Sequence, residues 1–290
     1  MATTREWIQG ARPHTLPAAI APVLVGTGIA QHLNSFNVGR ALLALVVALA
    51  LQAGVNYSND YSDGIRGTDR VRVGPVRLVG QELAKAHQVK RAAFLMFAIA
   101  MASGLTLVFL TQTWWLLVVG AVSIAAAWFY TGGSRPYGYS GFGELFVFIF
   151  FGVVPVMGTA YVQTLELTTG ALIASIGVGA LACSILITNN LRDIPGDTEH
   201  GKRTLAVRLG DHRTRRFYIA SITTAFLVPA VLVIPFGPWT LLAYAAIPWA
   251  FLPIKIIRRG ALGPALIPVL RATGNLLLIY GVVLSIGISI

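Results

Sequence analysis

Long apolar runs are the feature that most constrains how this chain can fold. Nine runs of 16 to 20 residues contain no Asp, Glu, Lys or Arg, and only 11% of the whole chain is charged. Soluble domains carry about 25% charged residues, and a helix of roughly 20 residues crosses the ~30 Å hydrocarbon layer of a membrane. We therefore predict an all-α integral membrane protein with nine transmembrane helices around a central cavity. The predicted helices are Thr15–Leu33, Ala41–Tyr57, Ala92–Thr111, Trp114–Gly132, Leu145–Val162, Ala171–Thr188, Phe217–Phe236, Trp239–Ile254 and Ala272–Ile290.

The basic residues indicate how the chain is oriented in the membrane. With a cytoplasmic N-terminus and nine crossings, 21 of the 22 Lys and Arg residues fall on the inner side, and only Arg40 falls outside. This is a strong positive-inside pattern. The formal net charge of +11 is therefore a topological signal rather than the sign of a nucleic-acid partner. Because the outer connections are short and nearly uncharged, we expect the active site on the cytoplasmic side.

Two clusters of asparagine and aspartate lie at the ends of apolar runs, in a chain that has only eleven acidic residues. The first spans Asn56–Asp63 and the second Asn189–Asp197, and each continues into a long basic inner loop. Ionisable groups at the edge of hydrocarbon suggest function, and matching clusters in two halves favour one site between the halves. We predict a single membrane domain, 1–290, with pseudo-repeated halves at roughly 1–132 and 133–290.

Helical spacing places the first cluster on one face. Asn56, Asp60 and Asp63 are spaced i, i+4 and i+7, so their side chains project together from a helix end. Asp69 follows after Gly64 and Gly67, which are expected to turn the chain back.

The second cluster repeats the spacing. Asn189 and Asp193 again share one face, while Pro195 is expected to end or bend the helix and redirect Asp197. Both clusters therefore offer oxygen ligands at a helix end.

Oxygen ligands without His or Cys select a hard cation. Magnesium takes one or two protein carboxylates and completes its shell with water and substrate phosphate, so two facing sites suit a diphosphate flanked by two Mg²⁺ ions. Bases close to the carboxylates are suited to bind the phosphate oxygens. They are Arg66, Arg72, Arg77, Arg135, Lys202 and Arg203.

A diphosphate at a helix end with its tail in an apolar bundle describes a polyprenyl diphosphate in a lipid bilayer. Its ionisation releases diphosphate and leaves an allylic cation, which the protein must shield from water. Aromatic rings stabilise such a cation through their π faces. Tyr130 and Tyr137, near the inner end of the fourth helix, are candidate rings, and an interfacial or core role is the alternative for both.

At these residues the chain resembles the UbiA superfamily of intramembrane aromatic prenyltransferases, and within it the branch that acts on 1,4-dihydroxy-2-naphthoate in bacterial menaquinone biosynthesis. The resemblance covers nearly the whole chain. It is carried by Arg12–Pro17, Asn56–Asp69, Gly74–Arg77, Tyr130–Gly133, Pro136–Tyr139, Asn189–Asp197 and Gly201–Leu205.

The resemblance implies a magnesium-dependent prenyl transfer with loss of carbon dioxide and diphosphate, in a bacterial inner membrane. By position, Asn56 and Asp60 belong to the first metal motif, and Asp193 and Asp197 to the second. Family members commonly carry the second acid of the first motif at the position of Gly64. Here Asp63 or Asp69 must supply it.

Two alternatives remain. A related branch of the family uses 4-hydroxybenzoate, homogentisate or haem as the acceptor. A membrane transporter would also have a pseudo-repeat and central charges, although transporter ligands lie near the midplane, whereas these clusters lie at inner helix ends.

Overall fold

The computed structural model describes residues 2–67 and 76–290, and every regular element in that part of the chain is helical. A π-helical turn at Ile149–Val153 joins the sixth helix to the seventh. A segment of 3-10 helix, Pro238–Ala246, precedes the tenth. The α-helices are α1 (Thr4–Gly10), α2 (Pro17–His32), α3 (Val38–Ile65), α4 (Ala86–Thr111), α5 (Leu116–Phe129), α6 (Gly143–Phe148), α7 (Val154–Thr164), α8 (Thr169–Glu199), α9 (Leu205–Phe236), α10 (Ile247–Arg258) and α11 (Ile267–Ser289).

The described residues contain seven helices long and apolar enough to cross a membrane. An eighth is obtained when the bent pair Thr4–Thr15 and Pro17–His32 is taken as one span. The prediction of a multi-pass membrane protein is therefore confirmed. The fourth predicted run forms α5, which has only 14 residues and is shorter than a full crossing. The number of nine crossings stays a prediction.

The helices that carry the two clusters extend well beyond their apolar runs. α3 continues to Ile65, so the first cluster lies within the helix. α8 continues to Glu199, so the prediction that Pro195 ends the helix is wrong. A bend at Pro195 stays a prediction. Proline removes one backbone donor, but the helix continues through Pro195 to Glu199. Asp197 is therefore held on α8 itself.

α8 is the central helix of the bundle. In its most apolar stretch 78% of the residues are buried, compared with 22% for α3 and 28% for α4. Glycines allow its neighbours to approach closely, because a Cβ on Gly152 would lie 2.5 Å from the Cα of Gly179 in α8. Small residues have this role at membrane helix interfaces. α2 and α11 also pack closely at a glycine, because a Cβ on Gly28 would lie 2.6 Å from the Ser285 carbonyl oxygen.

Candidate active site

A cavity of about 500 Å³ lies between α2, α3, α4, α5, α7 and α8. Its wall is mostly apolar along the bundle. At one end it is polar, and the side chains there come from both clusters and from the segments that follow α3, α5 and α8. The polar lining residues include Asn56, Asn59, Asp63, Arg77, Tyr139, Asn189, Asn190, Arg192, Asp197 and Lys202.

In the first cluster the residues that line the cavity are Asn56, Asn59 and Asp63. Asn56 Nδ2 donates to the Ala11 carbonyl at 2.9 Å, so the side-chain oxygen of Asn56 points away from Ala11. Asn59 Oδ1 accepts from the Thr131 hydroxyl at 2.7 Å. Asn59 did not emerge from the sequence, although its spacing from Asn56 and Asp63 also fits a helical face. The polar face of α3 is therefore fixed by contacts with α1 and with the end of α5.

Asp60 has a different position. Its carboxylate accepts the backbone N–H of Leu78 at 2.6 Å and of Val79 at 3.2 Å. Asp60 is only 1% exposed and does not line the cavity. In this structure it fastens the 78–79 backbone to α3 rather than facing the second cluster.

The second cluster divides in the same way. Asn189, Asn190 and Asp197 line the cavity. Asp193 instead forms a bidentate ion pair with the guanidinium of Arg192, with both N–O distances at 2.8 Å.

Lys202 and Tyr139 join the two clusters. The Lys202 Nζ lies 3.6 Å from Asp63 Oδ1 and 3.9 Å from Asp197 Oδ1, so the two carboxylate oxygens are separated by no more than the sum of these distances. The same ammonium lies 4.3 Å from the centre of the Tyr139 ring, a cation–π distance. The Tyr139 hydroxyl donates to Asp63. Burial, and then the charge of Asp63, raise the pKa of Tyr139, so the phenol stays protonated and can donate.

The predicted basic residues are spread more widely than the acids. Arg77 and Lys202 line the cavity. Arg66 is not a lining residue, and it donates to the carbonyls of Thr131 and Gly133. Arg135 and Arg203 are exposed and are not brought to the cavity. Arg72 and Asp69 lie outside the described residues.

Arg192 is a lining residue that the sequence did not single out. It is 7% exposed, and its Nη1 is buried without a hydrogen-bond partner among the described residues. A buried unpaired guanidinium nitrogen is costly. An anionic ligand in the cavity would satisfy it.

Aromatic rings form the wall next to the polar end. Tyr130 and Tyr137 both line the cavity, and the Tyr137 ring stacks on Phe146 with centroids 4.0 Å apart. The Tyr137 hydroxyl donates to the Ala126 carbonyl at 2.7 Å, and burial raises its pKa. Its ring face, rather than an ionised oxygen, is what it offers to a ligand.

The donor set of the cavity fits magnesium bound together with a phosphate ligand. Within residues 2–67 and 76–290 no three His, Cys, Asp or Glu side chains converge on one point. One carboxylate from each cluster lies within 4 Å of the Lys202 ammonium, and asparagine side chains line the same cavity. This suits an ion that takes one or two carboxylates and obtains the rest of its shell from water and phosphate.

The sequence and the fold match proteins of one family. A model described as the UbiA prenyltransferase family matches residues 19–265. A Mycobacterium tuberculosis protein named 1,4-dihydroxy-2-naphthoate octaprenyltransferase is 51% identical over 285 residues, which cover 98% of this chain and 97% of the relative. The Escherichia coli protein of the same name is 36% identical, and the alignment covers 97% and 96% of the two chains.

Solved structures show the same fold at lower identity. A UbiA homolog from Archaeoglobus fulgidus bound to GPP and Mg²⁺ aligns with a TM-score of 0.68 at 14% identity, over 97% of this chain and 99% of that one. A UbiA homolog from Aeropyrum pernix aligns with a TM-score of 0.72 at 18% identity, over 93% and 96%. On the family match and the identity to its relatives, the chain belongs to the UbiA prenyltransferase family.

Proposed function

We propose that this protein transfers a polyprenyl group from polyprenyl diphosphate to 1,4-dihydroxy-2-naphthoate, with loss of diphosphate and carbon dioxide, giving demethylmenaquinone in its reduced, quinol form. The observation that carries the proposal is that acids from α3 and α8 lie at one end of the same cavity, with an apolar wall behind them. The acceptor follows the names of the relatives with 51% and 36% identity.

The acids that face each other would hold two Mg²⁺ ions. Asp63 and Asp197 would supply carboxylates, and the amide side chains of Asn56, Asn59 and Asn189 line the same cavity. When bound, magnesium neutralises the charge on the departing diphosphate. Asp60 and Asp193 complete the two motifs in sequence, and here they position the 78–79 backbone and Arg192.

The diphosphate would be held by buried bases at the polar end. Arg192 offers its unsatisfied Nη1, and Arg77 and Lys202 line the same end of the cavity. Hydrogen bonds from guanidinium and ammonium groups to phosphate oxygens are charge-assisted and strong. These three residues orient the leaving group, so that the C–O bond of the donor breaks towards the polar end.

The apolar wall then protects the allylic cation. Water is excluded by residues of α2, α4, α5 and α7, while the faces of Tyr130 and Tyr137 lie between the polar end and the apolar wall. Cations are stabilised over such faces. The electron-rich ring of the acceptor forms the new C–C bond, and its carboxyl group leaves as carbon dioxide.

The active site would open to the cytoplasm in a bacterial inner membrane, with the N-terminus inside. Support comes from the positions of the charges, since 21 of 22 Lys and Arg residues fall on one side of the predicted topology.

Purified protein in lipid nanodiscs provides the test. Octaprenyl diphosphate and Mg²⁺ are supplied with 1,4-dihydroxy-2-naphthoate, 4-hydroxybenzoate, homogentisate or haem, and products are identified by mass spectrometry. We expect a decarboxylated, prenylated naphthalene product that disappears with EDTA. A product with 4-hydroxybenzoate alone would refute the choice of acceptor, and no product with any acceptor would refute the reaction.

A further inference from the structure

We propose that the Lys202 ammonium occupies the position of a metal cation between the two acidic clusters in the metal-free protein. There it weakens the binding of divalent metal until a diphosphate binds. The inference rests on the proposed function, because it concerns the binding order at the same site. Lys202 would then control the order in which metal and diphosphate bind, and would also contact the phosphate.

The first step of the argument is burial. Asp63 and Asp197 are 3% and 8% exposed, and Lys202 is 8% exposed. Buried carboxylates are costly without a nearby positive charge. The Lys202 Nζ is within 4 Å of one carboxylate from each cluster, so it supplies that charge to both at once.

The second step is the way Lys202 is held. Its backbone N–H donates to the Asp197 carbonyl at 2.8 Å, and the next N–H, of Arg203, donates to the Tyr139 carbonyl at 2.8 Å. The backbone is therefore fixed beside the cavity, while the ammonium is carried on a four-carbon stem with rotatable bonds. A lysine of this kind can exchange one anionic partner for another.

The third step is competition. A divalent ion bound to Asp63 and Asp197 would lie within a few ångströms of the ammonium, and like charges repel strongly at that distance in a partly buried site. Diphosphate removes the conflict, because its oxygens accept the ammonium and also coordinate the metal. Metal affinity should therefore be low for the protein alone and rise when diphosphate is present.

Manganese binding, followed by the EPR signal of free Mn²⁺, tests this without turnover. In the wild type we expect weak Mn²⁺ binding alone and at least ~10-fold tighter binding with inorganic diphosphate. Lys202→Met should bind Mn²⁺ alone roughly 10-fold or more tighter than the wild type, whereas Lys202→Arg should stay weak because the charge is kept.

Lys90 offers a matched control. It also lies over aromatic rings, 5.7 Å from Tyr61 and 5.9 Å from Trp128, but it is exposed and forms no ion pair with the described residues. Lys90→Met should leave Mn²⁺ binding unchanged.

Three results would overturn the proposal. One is wild-type binding of Mn²⁺ that is equally tight with and without diphosphate. Another is a folded Lys202→Met variant with wild-type affinity. If Lys202→Met unfolds, millimolar Mn²⁺ should restore its thermal transition, and failure to do so would be the third. Loss of the proposed function would appear separately, as absence of a prenylated product from the wild type.

Discussion

Asp60 and Asp63 are one helical turn apart on α3, yet the structure gives them different partners, and Asp60→Asn separates the two roles. Asp60 accepts two backbone N–H groups, from Leu78 at 2.6 Å and from Val79 at 3.2 Å. An asparagine keeps one acceptor oxygen, but its NH₂ group turns a donor towards the other N–H. The 78–79 backbone should therefore detach more readily from α3.

The magnitude follows from burial. Asp60 is 1% exposed and Leu78 is fully buried, so water cannot replace the lost acceptor. A hydrogen bond to a charged group contributes about 1.5–3 kcal/mol, and a buried donor left unsatisfied costs a similar amount. We expect a local loss of about 2–3 kcal/mol. Because each ~1.4 kcal/mol is a factor of ten, amide exchange at Leu78 and Val79 should become roughly 30- to 150-fold faster.

Hydrogen–deuterium exchange with mass spectrometry measures the local effect. Global stability can be followed with a thiol-reactive dye, because Cys183 is the only cysteine of the chain and is 5% exposed. Asp63→Asn is the matched control, since Asp63 contacts the side chains of Tyr139 and Lys202. It should leave exchange at 78–79 close to that of the wild type. Unchanged exchange in Asp60→Asn, or equal acceleration in both variants, would refute this division of roles.

Two further predictions concern the donor. Arg192→Gln removes the buried Nη1, so the KM for prenyl diphosphate should rise roughly 10- to 100-fold, as expected for the loss of a charged hydrogen bond. The control is Arg213→Gln, because Arg213 is exposed. Equal KM values for the two variants would contradict the assignment of Arg192 to the donor. Gly104 lines the cavity on α4 and has open space where a Cβ would lie, so Gly104→Leu should lower kcat/KM for octaprenyl diphosphate more than for geranyl diphosphate. Ala102 is exposed on the same helix, so Ala102→Leu should leave kcat/KM unchanged for both donors. If Gly104→Leu lowered kcat/KM equally for both donors, the effect would not come from a shorter cavity.

Much of the fold could be predicted from hydropathy alone, because a hydrocarbon environment requires long helices with internally satisfied backbones. The ends of α3 and α8 could not. Both helices run past their apolar segments into the polar clusters, where side-chain and backbone partners from other segments support them. A local rule, that proline ends a helix, failed at Pro195, since α8 continues to Glu199.

The candidate site was predicted to the level of the clusters, but not to the level of individual side chains. A helical period of 3.6 residues places both i+3 and i+4 neighbours on one face, so Asn56 and Asp63 could share a face with Asn59 or with Asp60. Tertiary contacts decide between them. Thr131 holds Asn59 beside the cavity, while the 78–79 backbone draws Asp60 away.

The glycine at position 64 follows from the same contact. A Cβ there would lie 2.5 Å from Val79 Cβ, so the segment that Asp60 binds also occupies the space that a side chain at 64 would need. Under this packing a carboxylate at 64 would displace Val79. Asp63 contacts Tyr139 and Lys202. It is therefore the acid of α3, in the part of the chain that the structure describes, that faces the second cluster. Gly64→Asp should therefore weaken the attachment of the 78–79 backbone without adding a metal ligand, because the new side chain would meet Val79 before it reached the cavity.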